Sequence, residues 1–531
     1  MTEHDPASTA SASLDVTDTT QLLVIGAGPA GLAAALEGRR RGLSVVLVDE
    51  NPVPPETMGE DVPHFYGGRM SGATRNRNAM LEAVLAASPA LAQAFEAGVD
   101  VRLGTSCWGL YANGPSVGWL PGPVAGLADA EGAGMLGFER VVVAAGCRDM
   151  GIAFAGWELP GVMGVQAAAR LAAVGALASR RAVLLGSGAE AIAAGQSLRA
   201  AGVEIVAVVE VAPVTLADPA PLGAPVLCGH RVLRAEGGAD GVEALVVEAL
   251  VVEVAGGEVA GGEVAGGGAR RLACDTVLLG IGAVPVVELL DALGCRIVFD
   301  PARGGHVPLL DPAGRTSLPF AFAAGDCAGV WPAKAASPAL AEAEGRRAAG
   351  ADQGPGPPPD GSADLAAYRL AWVRALVVEG GDGPYVCRCE EVTAREILEV
   401  RPPRYLNAAS LPRNDRTLRA LLGEGPPNPD QVKRLTRAGM GLCQGRRCRE
   451  QVACLLALGA DEPLNSVPLA THRAPVRPLP LRLAHSVGES AELRRGWDTW
   501  FGIYSQYVPP WDVAPAYTAG GRPLDQEVAS E

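Results

Sequence analysis

Apolar residues in this 531-residue chain fall into two rhythms. Short unbroken runs bounded by glycine alternate with stretches in which apolar positions recur every three or four residues. That is the pattern of buried parallel strands joined by helices. Gln21-Leu-Leu-Val-Ile25 predicts a strand, Gly26-Ala-Gly-Pro-Ala-Gly31 a turn, and 32–41 a helix. Ser44-Val-Val-Leu-Val48 then predicts a second strand, closed by Asp49 and Glu50. The same order returns at Arg181-Ala-Val-Leu-Leu, Gly186-Ser-Gly188-Ala-Glu-Ala191 and Ile205-Val-Ala-Val-Val209, closed by Glu210. Further strands are predicted at Val141-Val-Val-Ala-Ala-Gly146 and Asp275-Thr-Val-Leu-Leu-Gly-Ile-Gly282.

Each Gly-x-Gly-x-x-Gly/Ala stretch lies between a strand and a helix, the context in which its glycines let backbone approach a pyrophosphate at the helix N-terminus. Gly26, Gly28, Pro29, Ala30 and Gly31 are the first candidate site. Asp49 is favoured by register to accept from a ribose, with Glu50 beside it, and Ala145 and Gly146 close the first half of this fold. Gly186 and Gly188 form the second site. Glu210 there favours a free ribose 2′-hydroxyl, hence NAD over NADP. A bound adenine nucleotide and a fold kept for packing both remain open for this second pocket. Downstream, Arg315-Thr-Ser-Leu-Pro-Phe-Ala-Phe-Ala-Ala-Gly-Asp326-Cys resembles the strand and Gly-Asp turn of glutathione-reductase-like flavoproteins. The resemblance implies FAD in the first fold, with Gly325 and Asp326 at its ribityl chain. Cys147 has no second cysteine near it in sequence, which excludes a Cys-x-x-Cys redox pair and leaves a lone reactive thiol open.

Composition narrows the class. The length predicts two to four domains, and 48% hydrophobic residues suffice for their cores. A formal net charge of −15 argues against a nucleic-acid partner. Seven of the eleven cysteines are scattered in apolar surroundings, as reduced core thiols are. The six histidines stand apart from one another and read as surface or structural. The polar first twenty residues lack a secretory pattern and no uncharged apolar run reaches transmembrane length, so a cytoplasmic protein is expected. Glu-Val-Ala-Gly-Gly occurs three times between Glu253 and Gly267 and reads as a surface loop without chemistry. The aromatic stretch holding Trp497, Trp500 and Trp511 suits either a tail over its own domains or a subunit interface.

The remaining four cysteines carry the most chemistry. Cys387-Arg-Cys389 and, after 53 residues, Cys443 and Cys448 on a Gly-rich loop can give four thiolates to one compact site. Such ligands suit an iron–sulfur cluster or structural zinc, although zinc sites usually space paired cysteines two to four residues apart. The arrangement resembles the small [2Fe-2S] domain of bacterioferritin-associated-ferredoxin (BFD) type, with an apparent insertion holding Arg401-Pro-Pro-Arg404 and Gly423-Glu-Gly-Pro-Pro-Asn428.

The expected fold is therefore α/β: two nested Rossmann-like dinucleotide-binding domains plus a small helical BFD-like domain. The predicted boundaries are a disordered tail at 1–20, the FAD-binding domain at 21–155 and 301–350, and an NAD-like domain at 156–300. A linker follows at 351–366, then the cysteine domain at 367–470 and an extension at 471–531. This order resembles the larger subunit of two-component bacterial amine and amino-acid dehydrogenases, among them octopine and nopaline oxidases, D-hydroxyproline dehydrogenase and hydrogen cyanide synthase, with sarcosine oxidase as a relative. Met440-Gly-Leu-Cys-Gln-Gly-Arg-Arg-Cys448 and Gly156-Trp-Glu-Leu-Pro-Gly-Val-Met163 carry the likeness. One departure is that His64-Phe-Tyr-Gly-Gly-Arg69-Met stands where Gly-Gly-Gln is usual, and farther along. The resemblance implies FAD, a [2Fe-2S] cluster, FMN at a subunit interface, and a glycine-oxidase-like FAD β subunit that oxidises a small amine or amino acid while this chain relays electrons. The competing expectation is a self-sufficient NAD(P)H-dependent reductase of a ferredoxin or oxygenase. A third is a scaffold that binds nucleotide only for stability.

Overall fold

The computed structural model describes residue 16 and residues 18–52, 69–114, 120–250, 268–352, 364–379, 383–403, 405 and 417–484. The Glu-Val-Ala-Gly-Gly repeats, the His64 segment up to Gly68 and the aromatic C-terminal stretch lie outside these residues.

A parallel sheet forms the first fold, with strands ordered Asp100–Leu103, Val45–Asp49, Asp18–Ile25, Ala133–Val143 and Ala321–Ala323. The first half of Ala133–Val143 turns into an antiparallel meander with Val124–Ala128 and Ser106–Tyr111. Leu22, Leu23, Val24 and Val141 to Val143 have no exposed surface, as strands covered on both faces require. The second fold is a five-stranded parallel sheet, ordered Val226–Cys228, Glu204–Glu210, Arg181–Leu185, Thr276–Leu279 and Val162–Gly164. A three-stranded antiparallel sheet, His230–Gly238, Gly241–Ala249 and Arg270–Ala273, is appended to it. A two-stranded ribbon, Cys147–Asp149 with Ala283–Pro285, joins the folds.

The cysteine lobe is mostly helical, built around Arg449–Ala460. It does not stand apart: one apolar core runs from Val183 and Leu185 through Trp157, Tyr368 and Trp372 to Val386, Ile397 and Leu455. Several boundaries shift accordingly. The first strand starts at Asp18, inside the span expected to be tail, because Asp18 to Thr20 pair with Leu136 to Phe138 despite being polar. A helix capped by Asp364 begins at Leu365, inside the expected linker, and buries Tyr368, Trp372 and Val373. The extension begins packed: Val476 donates its N–H to Trp108, and His472 Nδ1 lies 2.6 Å from Asp291.

Lobe and sheets are also pinned by buried charge. Arg148, 5% exposed, forms a short ion pair with Glu288 and donates to Glu450 Oε1 at 3.2 Å. Gln451 Oε1 accepts from Ala153 N–H at 2.9 Å. Burial alone would raise the Glu288 pKa, but Arg148, His472 and Arg449 outweigh it and hold the carboxyl at about 2. A depressed carboxyl stabilises the fold above its ordinary value of 4.5 and loses that contribution as pH falls toward 2. Arg148→Met leaves two buried carboxylates without their cation. It should cost about 3–5 kcal/mol, read as a lowered urea midpoint at neutral pH, and should flatten the acid limb of the stability profile. An unchanged midpoint would show that the network carries no net stability.

Candidate cofactor sites

The helix Pro29–Arg40 opens on Gly28 with proline in its first turn, no side-chain cap and no acidic residue there. Its first N–H groups are thus left for a ligand. Gly26 has φ +106°, and a Cβ on it would lie 2.2 Å from Ala144 O. One on Gly31 would lie 1.8 Å from Gly26 O, whereas one on Gly28 would meet nothing within 4 Å. Glycine is therefore required where chain meets chain, and space is left where a pyrophosphate goes. Asp49 Oδ2 accepts from Ala27 N–H at 2.6 Å, so this carboxylate sits at the glycine turn. Glu50 instead pairs with Arg477.

Two further segments converge on this turn at the carboxyl ends of the strands. Gly325, with φ +74°, abuts Ala30, and Asp326 Oδ2 accepts from the Cys147 thiol at 3.3 Å, just past Ala145 and Gly146. Burial, then Asp326, pushes the Cys147 pKa well up. Burial and the neighbouring carboxylate both disfavour the thiolate that a reactive cysteine needs. Lys334 was missed in sequence. Its Nζ donates to Gly325 O at 2.6 Å and Gly329 O at 2.8 Å and pairs with Glu344 at 2.8 Å. Glu344 in turn accepts from Gly325 N–H at 2.8 Å, so a buried ion pair clamps both sides of the Gly-Asp turn. The available signal was a lone lysine in Pro332-Ala-Lys-Ala-Ala336, directly after that turn. Bare helix N-terminus, open Gly28 and placed Asp49 fit FAD. The second fold keeps its glycine geometry, with Gly186 at φ +94°, but Glu210 is fully buried and bonded to Ser187 and Tyr368.

The four lobe cysteines come together. Cys389 Sγ lies 3.9 Å from Cys387 Sγ and 3.7 Å from Cys443 Sγ, while the Cys387 thiol also engages Cys448. Two thiolates on one tetrahedral ion with bonds near 2.3 Å lie about 3.8 Å apart, so these separations suit shared metals. Among the described residues, however, no group of three or more His, Cys, Asp or Glu is placed so that it could hold a metal ion. Hydrogen bonding with Cys389, then burial, pushes the Cys443 pKa well up. Gly439 N–H donates to Cys387 Sγ at 3.3 Å, and a Cβ on Gly441 would strike Cys389 Sγ at 2.6 Å. Cys389 alone of the four is exposed.

Residues 20–345 match the family described as pyridine nucleotide-disulphide oxidoreductase. Over 524 residues the chain is 30% identical to the A subunit of opine oxidase from Agrobacterium tumefaciens (strain Ach5), covering 90% of this chain and 93% of that one. The chain belongs to the opine oxidase A-subunit family of pyridine nucleotide-disulphide oxidoreductases. Hydrogen cyanide synthase subunit HcnB of Pseudomonas aeruginosa is 26% identical over 531 residues, covering 88% of this chain and 99% of that one. The crystal structure of L-proline dehydrogenase from P. horikoshii shares the fold at TM-score 0.55 and 19% identity, over 88% of this chain and 79% of that one. As a member of the opine oxidase A-subunit family the protein is an FAD-binding oxidoreductase. Among its described residues no helix is long and apolar enough to cross a membrane.

Two glycine substitutions separate packing from binding. Gly31→Ala should lower both the stability of the apoprotein and its FAD content. Gly28→Ala should leave apoprotein melting near native yet weaken FAD at least about ten-fold, some 1.4 kcal/mol. Flavin absorbance after desalting and thermal melting of both forms check this. Native FAD affinity in Gly28→Ala would contradict the placement of the pyrophosphate.

Proposed function

We propose that this chain is the electron-relay subunit of a heteromeric dehydrogenase that oxidises a carbon–nitrogen bond in an amine, opine or amino acid. Four observations support the reading: the flavin fold, the lobe packed on it, the converging thiols, and near full-length similarity to a protein named as an opine oxidase subunit. The observation that carries it is the run of thiol contacts through Cys448, Cys387, Cys389 and Cys443 in a lobe fastened to the flavin fold by Arg148 and Glu450. When bound, FAD accepts electrons in pairs and a [2Fe-2S] cluster passes them singly.

The chain's own residues do the holding and tuning. The glycine turn, Asp49 and the Lys334–Glu344 clamp orient the flavin. Cys387, Cys389, Cys443 and Cys448 are the cluster ligands. Gly439 N–H, together with Arg388 and Arg447, whose charges reach Cys389 and Cys443, stabilises added negative charge and so raises the potential. Exposed Cys389 marks the edge at which electrons leave. A general base is not asked of this chain. His306 and His472 are buried and bonded to Val467 O and Asp291, and burial holds the His306 pKa down at about 4. Substrate oxidation is assigned to a glycine-oxidase-like FAD partner.

Anaerobically purified protein should contain iron and acid-labile sulfide in equal amounts and give a paramagnetic signal after dithionite. Cys443→Ser should abolish both while keeping FAD. Dye reduction should stay near background until an opine or amino acid is supplied together with the partner subunit. Stoichiometric zinc without sulfide would end the relay reading.

A further inference from the structure

The two dinucleotide folds share a motif but not an environment. In the flavin fold the first turn of the helix holds no acidic residue and Gly28 faces open space. In the second fold the helix Ala189–Ala200 carries Glu190 in its first turn. That side chain folds back, so a Cβ on Gly188 would lie 2.9 Å from Glu190 Oε1. A carboxylate thus lies beside the glycine turn at that helix N-terminus, where it would repel a pyrophosphate.

The ribose position is taken as well. Glu210 closes the strand Glu204–Glu210, where such a carboxylate ordinarily accepts from a ribose hydroxyl. Here it has no exposed surface. Ser187 Oγ donates to Glu210 Oε2 at 2.6 Å, and the Tyr368 hydroxyl donates to the same oxygen at 2.8 Å. Ser187 N–H donates to the Tyr368 oxygen at 3.3 Å, and Ala212 N–H donates to Glu210 Oε1 at 3.1 Å. Tyr368 comes from the helix Leu365–Val373, which leads into the cysteine lobe. Next to it, buried Arg369 donates to Ala283 O at 2.9 Å, and Trp372 packs edge-on to the Tyr368 ring at 6.4 Å.

We infer that the second dinucleotide fold is closed to NAD(H) by the protein itself, with Glu190 in place of the pyrophosphate and the Tyr368 phenol in place of the ribose hydroxyl. The fold then serves as a socket for the cysteine lobe, and what it binds is the chain's own helix. A dinucleotide would have to displace a buried charged-acceptor hydrogen bond and the helix that makes it. This closure is independent of whether the lobe carries a cluster.

The test is titration of the full flavin-loaded chain with NADH and NADPH under argon, by calorimetry and by flavin bleaching. The native chain should show no saturable binding and no bleaching at millimolar nucleotide. Glu190→Gln with Tyr368→Phe keeps the ring's packing while removing the carboxylate charge and the phenol. This double variant should gain NADH affinity by at least about ten-fold and prefer NADH to NADPH, because Glu210 remains. Micromolar NADH binding by the native chain would overturn the inference. So would a folded double variant that binds no better than native. The native titration decides even if the variant fails to fold.

Discussion

A guanidinium shut away from water must keep its carboxylates, and Arg148 keeps two that lie 140 and 302 residues farther along the chain. It stands on the ribbon that joins the folds and holds Glu288, just past that ribbon's second strand, and Glu450, at the start of the lobe's long helix. None of these groups can leave singly, because each departure strands a buried charge at a cost of several kcal/mol. The same ribbon begins at Cys147, bonded to Asp326 at the flavin turn, and the same helix follows directly on Cys448. Flavin site and thiol site are therefore fixed to one another by a joint only a few residues long. Electron transfer falls steeply with distance, so a relay depends on that kind of rigidity.

What was legible in sequence is what local physics dictates. Glycines with positive φ at 26 and 186, a strand-closing acid at 49 and a bare helix start each follow from a few consecutive residues. What was not legible depends on partners far along the chain. Lys334 takes its role only from Glu344 and the two carbonyls that the folded turn brings to it. At Cys147 a lone reactive thiol stayed open in sequence, because the carboxylate that accepts from it, Asp326, lies 179 residues away. The strand at Asp18 was hidden for another reason: its outer residues are polar and are held only by the ladder to Leu136 and its neighbours.

The cysteine lobe lies between these cases. Four thiols with a Cys-x-Cys start and a glycine-rich loop are visible as a set, but spacing alone leaves zinc and a cluster both open. Their separations do not choose the metal either, since both give similar sulfur-to-sulfur distances. The loop adds an argument. Gly439 offers its N–H to a sulfur, and Gly441 must lack a side chain because Cys389 Sγ fills that space. N–H groups directed at sulfur, beside Arg388 and Arg447, stabilise negative charge, which matters most where the charge changes with each turnover.

The pair of dinucleotide folds shows how little a glycine motif says alone. Both have the turn, the helix and the acid, and both bury most of the strand that leads into the turn. The difference is one residue in the first helical turn and one on a distant helix. Pro29-Ala30-Gly31 leaves the first N-terminus without an acid, whereas Glu190 sets a carboxylate in the first turn of the second. Once the strand-closing carboxylate is satisfied by the chain itself, the fold is left to packing, and Tyr368 is well suited to that use. Its ring adds apolar area to the shared core while its hydroxyl satisfies a buried carboxylate that would otherwise be costly. The Glu210 carboxylate that marks this fold as NAD-like in sequence is thereby the one that anchors the lobe.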